Sequence, residues 1–290
     1  MAPLLSRRST DAIDCILVHM AVGLIIGAVA SSNWGVFSWN VHWQCGSNYI
    51  SGCREAATKQ LLQLAHEQNA NVIVAVELEV SESQPIDLRS HGLASGWAQI
   101  NGSCSSHETS GGDAMALALG PGFGVLKSDG GCLGGHAGGA YRADSRAFAV
   151  ALVTPPNPVA ACPNVCVIGL HSPHVDITLG GDKVAQVCGE ARHRCTVAAG
   201  DWNAPASKQP FCNYTVAERW GQLVGGADAL WAGPDELTCC YPNSKYHGWD
   251  DHVVTNVQGA HGTAHVLPYQ MSRFSNDTEE HMPIFVELVL

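Results

Sequence analysis

The stretch "AAGDWNAP", residues 198–205, decides how the chain reads. Small apolar residues run into an acid, an indole and an amide, and Pro205 then ends any strand ladder. Successive strand side chains point to opposite faces, so Asp201 and Asn203 project together while Trp202 turns into packing. A buried strand that closes on a carboxylate and an amide sits where α/β proteins place chemistry. Taken alone, Gly-Asp-x-Asn is equally compatible with an Asx turn closing a strand. The flanking sequence has to carry the reading.

Outward from that stretch the pattern alternates. "VFSWNVHW" (36–43) and "NVIVAVELE" (71–79) read as strands on either side of the helical "REAATKQLLQLAHEQNA" (54–70). Further strands are expected at "AMALAL" (114–119), "RAFAVALV" (146–153), "VCVIGLH" (165–171), "TVAAGDW" (196–202), "DHVVTN" (251–256) and "PIFVELVL" (283–290). A helix is expected between 171 and 196, and the Gly-rich 120–140 reads as loop. No repeat, long linker or low-complexity tract divides the chain, so one domain with many strands, few helices and long functional loops is expected.

Composition bounds the function. At 46% hydrophobic and mean hydropathy +0.04, the 290 residues form a globular core rather than a disordered chain. A net charge of -11 argues against a broad basic surface for nucleic acid, but not against an enzyme that meets phosphate through a bound cation. Arg7 and Arg8 precede an apolar run that closes on Ala28-Val29-Ala30. This predicts a signal peptide over 1–30, cleaved after Ala30, and a mature domain over 31–290. Cleavage removes two Arg and two Asp, so the charge is unchanged. The run is short for a stable membrane span, and none is expected.

Cysteine usage points to export as well. Eleven of the twelve cysteines follow Ala30, and sequons stand at Asn101, Asn213 and Asn276, which together predict a secreted, disulfide-bonded glycoprotein. Cys45 with Cys53, Cys162 with Cys166, and Cys188 with Cys195 could each close a small loop, although spacing leaves connectivity open. A zinc site is disfavoured because no CxxC pair or ordered Cys/His array appears.

Polar residues recur at strand ends. Asn40 interrupts one apolar run, Glu77 ends another, His171 and His174 close a third, and Asp201 and Asn203 a fourth. Asp251 opens the next strand, and Glu280-His281 precede the last. Each has a structural explanation by itself; the shared location marks them as a set.

The ordered set Asn40, Glu77, His171, Gly200-Asp201-x-Asn203, Asp251 and acid-His281-x-Pro283 resembles the endonuclease/exonuclease/phosphatase superfamily of metal-dependent phosphoesterases over residues 33–290. "GLHSPH", "GDWNAP" and "DHVV" are most similar to the secreted deoxyribonuclease I type. The resemblance implies a four-layer α/β sandwich, two mixed β-sheets packed face to face with helices outside. It implies that Asn40, Glu77, Asp201, Asn203 and Glu280 supply metal ligands or phosphate contacts. Such hard oxygens suit Mg²⁺ or Ca²⁺. By the same resemblance His281 is the base, oriented by Asp251, and His171 the acid. "GDAMALALGP" places Asp113 as the carboxylate partner of His171, while His42 and His174 are candidate substrate contacts.

Two departures stand out. The last motif has Glu280 where the family has Asp, and no obvious arginines follow Asn40 or Glu77 to grip a DNA backbone. The expected function is a secreted, divalent-metal-dependent endonuclease acting on DNA. The alternatives are a sphingomyelinase-like phosphodiesterase acting on phospholipid and a catalytically impaired secreted binding or effector protein. The resemblance also implies a disulfide from Cys212 to Cys239 or Cys240.

Overall fold

The computed structural model describes residues 32–41, 52–81, 84–104, 113–134, 145–174, 176–177, 179–208, 213–225, 228–239, 248–269 and 280–290. Its main elements, in order, are β1 (Asn33–Asn40), α1 (Cys53–Glu67), β2 (Val72–Val76), β3 (Glu79–Ser81) and β4 (Gln84–Pro85). Then follow β5 (Ala98–Cys104), β6 (Asp113–Leu119), β7 (Gly124–Gly134), β8 (Ser145–Thr154) and β9 (Val165–His171). The second half continues through α2 (Gly181–Cys188), β10 (Thr196–Asp201), α3 (Val216–Trp220), β11 (Trp231–Gly233), β12 (Asp251–Thr255), β13 (His261–Val266) and β14 (Ile284–Val289).

Two six-stranded mixed sheets result, ordered β13-β14-β1-β2-β6-β5 and β11-β12-β10-β9-β8-β7. Each is built round one parallel pair, β1 with β2 and β10 with β9, flanked by antiparallel neighbours. Val36, Val74, Leu117, Ala149, Val167 and Val253 meet between the sheets. The outer face of the first sheet, including Phe37, Trp39 and Ile73, is covered by Ala57, Leu61 and Leu64 of α1. The outer face of the second, including Phe148, Ile168 and Val254, is covered by Val184 of α2 and Trp220 of α3. Helix, sheet, sheet and helix make four layers. Burial on both faces is why β2, β6, β9 and β10 read as continuous apolar runs rather than alternating ones.

The Gly-rich 120–140 corrects one expectation, because Gly124–Gly134 forms the eleven-residue strand β7 along the sheet edge rather than a loop. An edge strand tolerates weak β-formers, and a Cβ on Gly130 would stand 2.1 Å from Asn101 O. Glycine there lets the borders of the two sheets approach. The expected helix between 171 and 196 is the short α2, continued by a 3₁₀ turn over Gly189–His193.

Cysteine pairing corrects another expectation. Cys162 bonds Cys195 and Cys166 bonds Cys188, so neither Cys162–Cys166 nor Cys188–Cys195 forms. The layer explains the choice: Cys162 and Cys195 lie in the core between the sheets, whereas Cys166 of β9 and Cys188 of α2 lie in the layer between the second sheet and its helices. Cys104–Cys132 staples β5 of one sheet to β7 of the other. Cys53 and Cys239 are also disulfide-bonded. Cys45, Cys212 and Cys240 fall outside the described residues, as do the expected signal peptide and Asn276. Asn101 and Asn213 are exposed. Among the described residues no helix is long and apolar enough to cross a membrane.

Candidate active site

The two parallel pairs end at one place. Asn40 and Glu77 stand at the carboxyl ends of β1 and β2, and His171 and Asp201 at those of β9 and β10. Antiparallel neighbours begin there, bringing Asp113 from β6, Arg146 from β8, Asp251 from β12 and His281 just before β14. Parallel strands put their carboxyl ends at one edge, and ligands of α/β proteins gather at that edge.

Asp201 is the centre. Its Oδ2 accepts the Asn40 amide at 2.9 Å and stands 3.6 Å from His171 Nε2 and 3.8 Å from His281 Nε2. Its Oδ1 accepts the Asn203 backbone N–H at 2.8 Å. Each imidazole has a carboxylate behind it: Asp113 Oδ2 lies 3.2 Å from His171 Nδ1, and Asp251 Oδ2 lies 2.9 Å from His281 Nδ1. Trp202 turns the opposite way, is fully buried, and donates its indole N–H to His252 O at 3.1 Å.

The backbone is held in uncommon conformations to achieve this. Glu77 and Asn203 have φ of 52° and 47°, a region costing a non-glycine residue roughly 1 kcal/mol or more. Arg54 Nη1 donates to Glu77 O at 3.1 Å, and Asn203 Nδ2 donates to Ser172 O at 2.6 Å, which offsets that strain. Gly200 of the Gly-Asp-x-Asn motif has φ of +143°, and a Cβ there would lie 1.9 Å from Leu170 O. Only glycine fits so close to β9.

Electrostatics follow from crowding buried charges. Burial opposes protonation of His171, but Asp113 and Glu77 overcome it and carry the imidazole up to about 9. His281 is likewise pushed up to about 10 by Asp251 and Asp201 against the effect of burial. Asp201 is held below the usual carboxylate range, because His281 and His171 outweigh its burial. Burial dominates at Asp251 and raises it. Asp250 is pushed up to about 7 by burial and by the neighbouring Asp201 charge.

Among the described residues two groups of donors could hold a cation, Glu77 with Asp113 and His171, and Asp201 with Asp251 and His281, each with its ligand atoms within 4.8 Å of one another. Asp113 Oδ1 and Asp251 Oδ1 are buried and make no hydrogen bond, so carboxylate capacity remains in both groups. The oxygen-rich set suits a hard divalent cation. Glu280 belongs to neither group; its Oε2 accepts a hydrogen bond from the Tyr269 hydroxyl. His174 is exposed just beyond β9, and His42 lies outside the described residues.

Arg146 was not singled out in the sequence, yet its Nη1 lies 3.8 Å from Glu77 Oε1 with the side chain 27% exposed. It opens β8, far in sequence from Asn40 and Glu77. Strand order brings it back: β8 pairs with β9, which carries His171.

This architecture is the fold of the endonuclease/exonuclease/phosphatase proteins. Among solved structures, the chain is similar to mannosyl-6-phosphatase Bt3783 of Bacteroides thetaiotaomicron, with TM-score 0.56 and 15% identity over 89% of this chain and 100% of that one. It is similar to D. rerio TDP2 in complex with a single-strand DNA product, with TM-score 0.52 and 14% identity over 89% and 99%. An endonuclease/exonuclease/phosphatase family protein of B. thetaiotaomicron gives 0.52 and 14% over 90% and 96%. At these identities the likeness is one of fold. No family model matches the sequence, and no curated protein matches it.

Proposed function

We propose that the protein is a secreted, divalent-cation-dependent phosphodiesterase that hydrolyses DNA. The observation that carries this reading is the convergence of two carboxylate-backed imidazoles, His171 Nε2 and His281 Nε2, on Asp201 Oδ2 at 3.6 and 3.8 Å. Phosphodiester hydrolysis needs a group that takes a proton from water and another that gives one to the leaving oxygen, set on either side of the phosphorus. In this reading His281 is the base, oriented by Asp251, and would give up the proton it holds in the metal-free site once a cation neutralises the carboxylates that raise it, while His171 is the acid, oriented by Asp113.

Glu77, Asp201, Asn40 and Asn203 would hold Mg²⁺ or Ca²⁺, which when bound neutralises charge on the phosphoryl oxygens. Arg146 adds a partly exposed guanidinium beside Glu77, suited to a phosphate oxygen of the substrate. It answers the shortage of arginines after Asn40 and Glu77. DNA is favoured over lipid by the wording of the motifs around His171, Asp201 and Asp251. The structural neighbour that holds a DNA product adds support.

The test is to incubate the purified protein with supercoiled plasmid and, separately, with sphingomyelin, each with Mg²⁺, Ca²⁺ or chelator. Nicking that chelator abolishes is the expected result. Lipid cleavage without nicking would select the phospholipid reading. Inertness on both substrates under every metal would leave a binding or effector protein.

A further inference from the structure

His252 is a fully buried histidine that the proton-transfer pair does not use. Asp251 and His252 are consecutive on β12, so their side chains leave opposite faces of the strand. Asp251 reaches His281, and the His252 ring turns away toward the main chain of Ala204. Its Nε2 lies 3.0 Å from Ala204 O and 2.5 Å from Trp249 O. Carbonyl oxygens only accept, so Nε2 carries the ring proton and shares it between the two. Nδ1 is buried as well, but makes no hydrogen bond to the described residues. An apolar ring would fill the place without that orphaned atom, so the donor at Nε2 is what the histidine supplies.

Main-chain contacts complete a bracket around Asn203. His252 O accepts the Trp202 indole N–H at 3.1 Å, and Asp250 O accepts the Trp202 backbone N–H at 2.6 Å. Trp202 and Ala204 stand on either side of Asn203, so His252 fastens the chain both before and after it. Asn203 needs that hold. Its φ of 47° persists in a non-glycine residue only where the surroundings impose it. Asn203 Nδ2 donates to Ser172 O at 2.6 Å, which leaves Oδ1 as the amide atom able to take a cation.

We propose that His252 is the positioning residue of Asn203: by gripping Trp202 and Ala204 it fixes the strained backbone that presents the Asn203 amide to the site. Trp249 O, two residues before Asp251, is held by the same proton, so the Asn203 and Asp251 sides of the site are set against each other. The inference rests on the reading of Asn203 as a ligand of the site. It calls for no change of charge on His252.

The test compares the full chain with His252→Phe, with His252→Gln, and with a control, Val254→Ala, which removes buried volume on the same face of β12 without touching a hydrogen bond. His252→Phe is expected to weaken Mg²⁺ or Ca²⁺ binding in titration calorimetry about tenfold or more, the usual cost of losing an outer partner, with kcat falling alongside. The Gln amide can place an N–H where Nε2 stands, so His252→Gln should restore most of the affinity, and Val254→Ala should leave it unchanged. In an Asn203→Ala background His252→Phe should cost no further affinity, a non-additivity that general loosening of the fold does not produce. Wild-type affinity in His252→Phe, an equal loss in Val254→Ala, or the full loss repeated in the Asn203→Ala background overturns the proposal. If His252→Phe does not fold, His252→Asn replaces it, because the shorter amide reaches only the place of Nδ1; equal behaviour of the Asn and Gln variants then sinks the idea. A wild type that binds a cation but hydrolyses nothing defeats the functional reading, while the affinities still decide this one. If the wild type binds no cation, the ligand reading fails separately, and the Asn203 side-chain amide signals in a ¹H–¹⁵N spectrum decide. Signals displaced in His252→Phe and restored in His252→Gln support the contact; signals unmoved in both overturn it.

Discussion

His171 Nδ1 lies 3.2 Å from Asp113 Oδ2, and that same oxygen accepts the Ala147 N–H from β8 at 2.6 Å. One carboxylate thus orients the candidate acid and closes a main-chain donor of the neighbouring sheet. Asp113→Asn keeps an acceptor for Ala147 but removes the charge behind the imidazole, so hydrolysis should fall about 10- to 100-fold, the usual cost of losing an orienting partner. Asp113→Ala should lose activity and, in addition, about 1–3 kcal/mol of stability through the unsatisfied N–H. Steady-state kinetics with denaturant unfolding separates the two effects; equal stability of both variants would contradict the shared-oxygen account.

His171→Ala and His281→Ala should each lower turnover by about 10² to 10⁴, the range for loss of acid or base catalysis. Both rings sit at strand ends rather than among the apolar side chains of the core, so far-ultraviolet circular dichroism should remain that of the wild type. Near wild-type turnover in either variant would remove that residue from the proton-transfer pair.

The sequence made the centre of the fold and the site more legible than the margins. β2, β6, β9 and β10 are buried on both faces and carry unbroken apolar runs, so their polar terminal residues stood out. β5 and β13 gave no such signal: they are edge strands with half-exposed alternation, and "HGTAHV" has too little apolar character to announce itself. Arg146 went unnoticed for a different reason. It sits in no motif, and what places it beside Glu77 is the pairing of strands distant in sequence. Disulfide choice was likewise a matter of layer, which spacing does not encode.

The metal-free protein should lose stability as pH rises above neutrality. His171 and His281 are raised to about 9 and about 10, above the ordinary histidine value of 6.5. Between pH 6.5 and those values the folded state keeps protons that the unfolded state releases, so stability falls with pH, by at most about 1.4 kcal/mol per unit for each imidazole. The contribution is fully present below 6.5 and gone once pH has passed through the raised values. Thermal unfolding in chelator from pH 6.5 to 10 measures this. A divalent cation at the carboxylates offsets the negative charge that raises both rings, so added Mg²⁺ or Ca²⁺ should flatten the decline. A melting temperature that climbs across this range in chelator would contradict the two buried imidazolium groups.

Glu280 offers the sharpest division between a metal-bearing site and a retired one. Its carboxylate accepts a hydrogen bond from Tyr269, while Asp201 is buried at the meeting point of both imidazoles. A carboxylate engaged by a phenol at the rim contributes less to a cation than one fixed at the centre. Asp201→Asn should therefore weaken divalent-cation binding far more than Glu280→Ala, with the second variant losing about tenfold or less, near the lower end for a supporting ligand. Tyr269→Phe removes the phenol hydrogen bond from the Glu280 carboxylate and should tighten cation binding or leave it unchanged. Titration calorimetry with Mg²⁺ and Ca²⁺ on the three variants measures these affinities without relying on turnover. If Glu280→Ala abolishes binding as completely as Asp201→Asn, then Glu280 leaves Tyr269 to join the metal, and the longer arm of glutamate is what allows it to reach.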